Sequence, residues 1–189
     1  MRKSFLGPVH KVWWLVPVIV SSMVLAHAAL AQEDFQITRW FLFRVAGDMA
    51  QCSGAYRVTS EIIGGPEGEV LGNLANGFEH SSGLVASLVT NDREVARQST
   101  DNRVEAYARA WAVRAKRALE GDGVEAYYSK MNGLCDKYGT LNGELVEQSL
   151  QFGYAGNNDA DAWSSMVTEA LVRFMQSPEG VALVREAGE

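Results

Sequence analysis

The side chains with chemistry to offer are few: two cysteines, one histidine beyond residue 31, scattered carboxylates and one run of arginines. Cys52 and Cys135 are too far apart for a Cys-x-x-Cys redox pair, and no Cys-x-x-Cys-His is present for covalent haem attachment. Each lies within an apolar stripe of helical spacing, whereas a reactive thiol needs an electropositive, partly open setting. The pattern predicts a structural disulfide between two helices. His80 alone does not make a multi-histidine metal centre. It sits in Phe78-Glu79-His80-Ser81-Ser82, which holds the letters of a Ser/His/acid set, but the members of a triad are brought together by a fold. The expectation for His80 is a solvated position on a helix surface.

The carboxylates say less. Glu67 and Glu69, or Asp159 and Asp161, are close in sequence, whereas paired-carboxylate hydrolysis sets two carboxyls across a cleft. Asn157-Asn158-Asp159-Ala160-Asp161 is oxygen-rich but lacks the glycine and distal glutamate of an EF-hand loop. Helix capping is its expected role. No catalytic residue, metal ligand or cofactor site is assigned, and no enzyme is expected.

The arginines stand out. Arg93, Arg97, Arg103, Arg109, Arg114, Lys116 and Arg117 are opposed within their own segment only by Glu94, Asp101 and Glu105. On a helix of 100° per residue, Arg103, Arg114 and Arg117 share one side, while Arg109 and Lys116 share another. Either this helix docks among acidic neighbours or lies solvated, or it presents a cationic face to phosphate headgroups, an anionic cell-wall polymer or an acidic partner.

These residues need a frame. Residues 1–31 read as a signal peptide: Arg2, Lys3 and Lys11 make a basic start, Val12 to Leu25 is almost wholly apolar, and Ala29-Leu30-Ala31 has the small-x-small pattern of a cleavage site. An uncleaved anchor is the competing reading. Three of the 17 basic residues and none of the 23 acidic ones fall in this segment, so residues 32–189 carry a net charge of −9. That charge argues against general nucleic-acid binding. Two cysteines in an exported chain fit one disulfide, and no later segment is apolar enough to span a membrane.

Residues 32–189 read as one all-α, bundle-like domain of four or five main helices. The first starts near Glu33 or Asp34, carries Phe41, Val45, Met49, Cys52 and Tyr56 as its stripe, and ends by Gly64-Gly65-Pro66. Gly47 and Gly54 lie on one face of it, where another helix could approach closely. A weaker, glycine-diluted helix follows to Asn91, with a break expected near Gly83. The third, capped by Asn91 or Asp92 and interrupted around Ser99–Asn102, carries Val104, Tyr107, Trp111 and Ala115. The fourth steps through Tyr128, Met131, Cys135 and Tyr138 towards Leu150, with a break at Gly139 or Gly143. After a loop from Phe152 to Asp159, a helix through Trp163 and Phe174 and a short tail helix behind Ser177-Pro178 complete the chain.

The function this supports is an exported, periplasmic or extracellular, non-catalytic protein: an envelope accessory or assembly subunit with a protein or envelope partner. The alternative is a small-molecule or lipid carrier with an apolar cavity between helices. The first test is the leader. N-terminal sequencing of protein from the secreting cell should begin at Gln32, whereas Met1 in membrane-bound material would establish the anchor.

Overall fold

Residues 52–56 are buried without interruption, which no single apolar stripe can explain. A helix covered on all sides needs neighbours all round, and the rest of the fold supplies them. The computed structural model describes residues 37–121, 123–156 and 159–188; residues 1–31, expected as a signal peptide, lie outside them. Helix α1 (Arg39–Ile63) is capped by Thr38, whose Oγ1 accepts from the Phe41 N–H at 3.2 Å. The start expected near Glu33 or Asp34 is thus later, because Thr38 holds extended backbone and closes the first turn with its hydroxyl. Gly64, with φ of +64°, reverses the chain.

Helix α2 (Gly65–Thr90) runs back along α1 without the break expected at Gly83. A mid-helix glycine costs about 1 kcal/mol relative to alanine, and the buried face carrying Phe78, Ser82 and Val85 continues past it. Ser82 Oγ donates to the Ala46 carbonyl at 2.7 Å, and Tyr56 stacks on Phe78 with ring centroids 5.7 Å apart. Helix α3 (Arg93–Leu119) is capped by Asp92, whose Oδ1 accepts from the Glu94 and Val95 N–H groups. It too is continuous where an interruption was expected, around Ser99–Asn102. Ala96, Thr100 and Val104 form an unbroken buried edge there.

The expected fourth helix is two, α4 (Val124–Cys135) and α5 (Gly139–Tyr154), and the joint precedes Gly139. A 3-10 turn at Asp136–Tyr138 separates them. Side chains three apart eclipse in such a turn, so Cys135 and Tyr138 both reach α1. Cys135 is bonded to Cys52, with Cα atoms 5.5 Å apart, and the Tyr138 hydroxyl donates to Asp48 Oδ2 at 2.7 Å. Helix α6 (Ala160–Gln176) starts at Asp159, whose Oδ1 accepts from the Asp161 and Ala162 N–H groups. Capping, expected for this stretch, is what that carboxylate does. Helix α7 (Pro178–Gly188) follows Ser177, whose Oγ accepts from the Gly180 N–H, and runs past the end expected at Val184. The described residues contain no strand, and no helix among them is long and apolar enough to cross a membrane.

Of the two glycines expected to admit a neighbour, Gly54 is the one that does. A Cβ there would lie 2.7 Å from the Ala108 backbone nitrogen and 3.0 Å from the Val104 carbonyl oxygen of α3. At Gly47 the nearest atom would be Tyr107 Oη, at 4.0 Å. Gly54→Ala should therefore destabilise by about 1–3 kcal/mol or more, as overpacking against backbone does. Gly47→Ala should be neutral or stabilising by up to about 1 kcal/mol. Urea unfolding of the two variants checks the contrast.

Candidate functional site

Helix α3 sorts its cations into two groups. Arg97 pairs with Glu94 at 2.6 Å and with Asp101 at 3.2 Å, and Arg109 pairs with Glu105 at 2.8 Å. Lys116 reaches Glu120 at 3.9 Å. All are partners one turn away on the same helix. Arg103, Arg114 and Arg117 have no carboxylate partner among the described residues. Instead, the Arg103 guanidinium lies 5.7 Å from the centre of the Phe43 ring, and that of Arg114 lies 5.0 Å from the Trp111 ring. An aromatic face attracts a cation but leaves its charge uncompensated.

Arg114 and Arg117 converge on a cleft of about 350 Å³ between α3 and α4. Lys130 of α4 joins them, and Trp111, Ala118, Ala126 and Tyr127 supply the apolar lining. Trp111 is fully buried, with Tyr127 edge-on to it at 5.3 Å. The Tyr127 hydroxyl meets Thr59 Oγ1 at 2.9 Å, while Thr59 donates to the Ala55 carbonyl, so Tyr127 is the donor of the pair. The Trp111 indole N–H finds no acceptor among the described residues. Three uncompensated cations around an aromatic wall make a setting that an anion completes.

The tertiary fold divides the predicted trio. Arg103 stands eleven residues before Arg114, about 16 Å along the helix axis, beside Phe43 rather than in the cleft. Lys130 was not foreseen. Its signal was its place three residues after Tyr127, on a helix that turns back against α3.

A second cleft, of about 360 Å³, lies between α2 and α3 and is lined by Glu79, His80, Gly83, Arg93, Thr100 and Asp101 among others. His80 is exposed at its rim, but it is not simply solvated as expected. Its Nε2 lies 2.9 Å from Oγ of Ser149 on α5, a partner 69 residues away. A Ser–His pair within hydrogen-bond reach invites a nucleophilic reading. Ser149 Oγ, however, is buried and donates to the Val146 carbonyl at 2.8 Å, which leaves His80 Nε2 as the donor towards it. The proton sits on the wrong partner for a general base, and the pair fastens α2 to α5. Ser81, next to it, does the same by donating to Asn142 Oδ1 at 2.8 Å.

The one strongly displaced titration among the described residues is structural. Burial, and then the Asp48 carboxylate, raise the pKa of the Tyr138 phenol, whose hydroxyl stays protonated as a donor to Asp48. Arg44 Nε contacts the same carboxylate oxygen at 2.9 Å. Among the described residues no group of three His, Cys, Asp or Glu side chains is arranged to hold a metal ion.

No protein-family model, curated protein or solved structure matches the chain. The chemistry of the two clefts is therefore read from their own side chains.

Partial burial lowers the His80 pKa below its ordinary value of 6.5. Between that value and the depressed folded one, the unfolded chain binds the extra proton, so stability falls as pH drops through the window. His80 is the only histidine beyond residue 31. Urea midpoints should therefore fall from pH 7 to pH 5 in the parent, and His80→Gln should flatten that part of the decline.

Proposed function

We propose that the chain is an exported, non-catalytic helical protein that acts by contact, as an envelope accessory or assembly subunit. It meets an anionic surface or acidic partner through Arg114, Arg117 and Lys130, with Arg103 and Phe43 extending the same contact along α3. The observation that carries this reading is the lack of any carboxylate opposite these four cations among the described residues. Arg109 and Lys116, by contrast, each have one, and Arg97 has two. In a chain with a net charge of −6, neutralising acids were abundant.

Export is supported by the leader pattern and by the Cys52–Cys135 bond, since disulfides persist in oxidising compartments. The carrier reading draws less support. The widest clefts are open and polar-rimmed, and the apolar pocket between Ile62, Ala115, Leu119 and Tyr128 holds only about 40 Å³. That is far below the several hundred Å³ of a ligand site.

Sedimentation with anionic phospholipid vesicles tests the proposal. The parent protein should bind, and binding should weaken steeply as salt rises. Each basic residue near an anionic surface contributes about 1 kcal/mol. Changing Arg103, Arg114 and Arg117 together to Gln should thus weaken binding on the order of a hundredfold. No binding by the parent, or unchanged binding by the variant, refutes the anionic-surface reading.

A further inference from the structure

The cleft between α2 and α3 shares no lining residue with the cationic one, and its chemistry is different. Because α2 and α3 run antiparallel through a tight turn at Asn91-Asp92, residues near that turn lie at one end of the cleft. Ser87 and Arg93 mark this end; Asn76, Glu79 and Asp101 mark the other. Eight residues of helix separate Glu79 from Ser87, a span of about 12 Å.

The two ends carry opposite charge. Arg93 makes no ion pair among the described residues, and its guanidinium rests 5.0 Å from the centre of the Trp163 ring. At the far end, Glu79 uses Oε2 to hold Arg57 at 2.6 Å, and Asp101 uses Oδ2 to hold Arg97 at 3.2 Å. Each of these carboxylates keeps a second oxygen for another donor.

The middle of the cleft is built rather than incidental. Thr100 is 2 % exposed, and its hydroxyl, which has no hydrogen-bond partner among the described residues, lines the cleft. Above it sits Gly83, whose missing side chain leaves the space open: a Cβ there would stand 4.0 Å from Thr100 Oγ1. His80 lends its remaining ring nitrogen to the same wall, because Nε2 is taken by Ser149.

We propose that this cleft binds a compact zwitterion of di- to tripeptide length, its carboxylate on Arg93, its ammonium between Glu79 and Asp101, and a backbone amide on Thr100. An extended peptide advances about 3.3–3.6 Å per residue, so two or three residues reach from one charged end towards the other. A volume of about 360 Å³ also suits a ligand of that size.

Titration calorimetry with trialanine as the probe tests this on the mature protein. Trialanine should bind, and N-acetylation or C-amidation of the probe should each weaken binding at least about tenfold, the loss of one charged contact. Thr100→Val is nearly isosteric and removes a hydroxyl that holds nothing in the free protein. It should leave the melting temperature unchanged or raised while weakening trialanine binding severalfold. Gly83→Val should block the cleft, and circular dichroism melts will show whether either variant is still folded. If Gly83→Val fails to fold, Thr100→Val and the capped peptides decide the matter alone. No binding at millimolar trialanine, equal binding of the capped peptides, or unchanged affinity in Thr100→Val overturns the assignment.

Discussion

Helix α1 has to be enclosed, and the architecture follows from that requirement. Thirteen of its 25 residues are buried, including every residue from Cys52 to Tyr56, so the turn at the disulfide has no solvent face. Helix α2 covers one side through Phe78, Ser82 and Val85, and α3 approaches so closely at Gly54 that backbone meets backbone. The start of α4 closes the third side where Tyr127 meets Thr59, and its end is bonded at Cys135. The bond between Cys52 and Cys135 spans 83 residues. In the chain-entropy model, closing a loop of that length contributes about 4–5 kcal/mol by restricting the unfolded chain. It joins the centre of the first helix to a point beyond the third, so α1 to α4 are held as a unit while α5 to α7 pack onto its rim.

That rim is attached by polar contacts as much as by apolar ones. Ser81 with Asn142 and His80 with Ser149 join α2 to α5, and Glu144 of α5 holds Arg173 of α6. Tyr138 joins the 3-10 turn to Asp48 while its ring packs beside Phe174 at 5.7 Å. Buried groups of this kind add direction that apolar packing lacks, since each hydroxyl has one geometry that satisfies it. They also account for the residues that at first suggest catalysis. The serine–histidine pair is satisfied inward, towards the fold, and holds two helices together.

The cations divide on a simple geometric rule. A carboxylate one turn away on the same helix can reach its arginine without tertiary help, as Glu94, Asp101 and Glu105 do. Arg103 and Arg114 have no such acid at the right offset, and Glu120, three residues after Arg117, reaches Lys116 instead, so the state of all three depended on what lay around them. Helix α1 brought Phe43 to Arg103, α4 brought Tyr127 and Lys130 to the cleft, and Trp111 of α3 itself lies against Arg114. The proposed function rests on that outcome.

The sequence by itself determined the features set by local spacing. Apolar residues recurring every three or four positions marked α1, α3 and α6, and the caps at Asp92 and Asp159 were visible because a carboxylate beside free N–H groups needs no distant partner. The pairing of Cys52 with Cys135 was legible because only two cysteines exist and both lie on apolar stripes. What only the tertiary structure decided were the effects of contact between remote residues. Glycines that should weaken α2 are outweighed by the buried face beside them, so no break forms at Gly83. The joint between α4 and α5 falls at Asp136–Tyr138 because Tyr138 must reach Asp48, a partner 90 residues away. His80 acquired Ser149, and Lys130 joined Arg114 and Arg117, through chain reversals that helical periodicity does not encode. Periodicity reports which face of a helix turns inward; which helix it meets is settled by packing summed over the whole core.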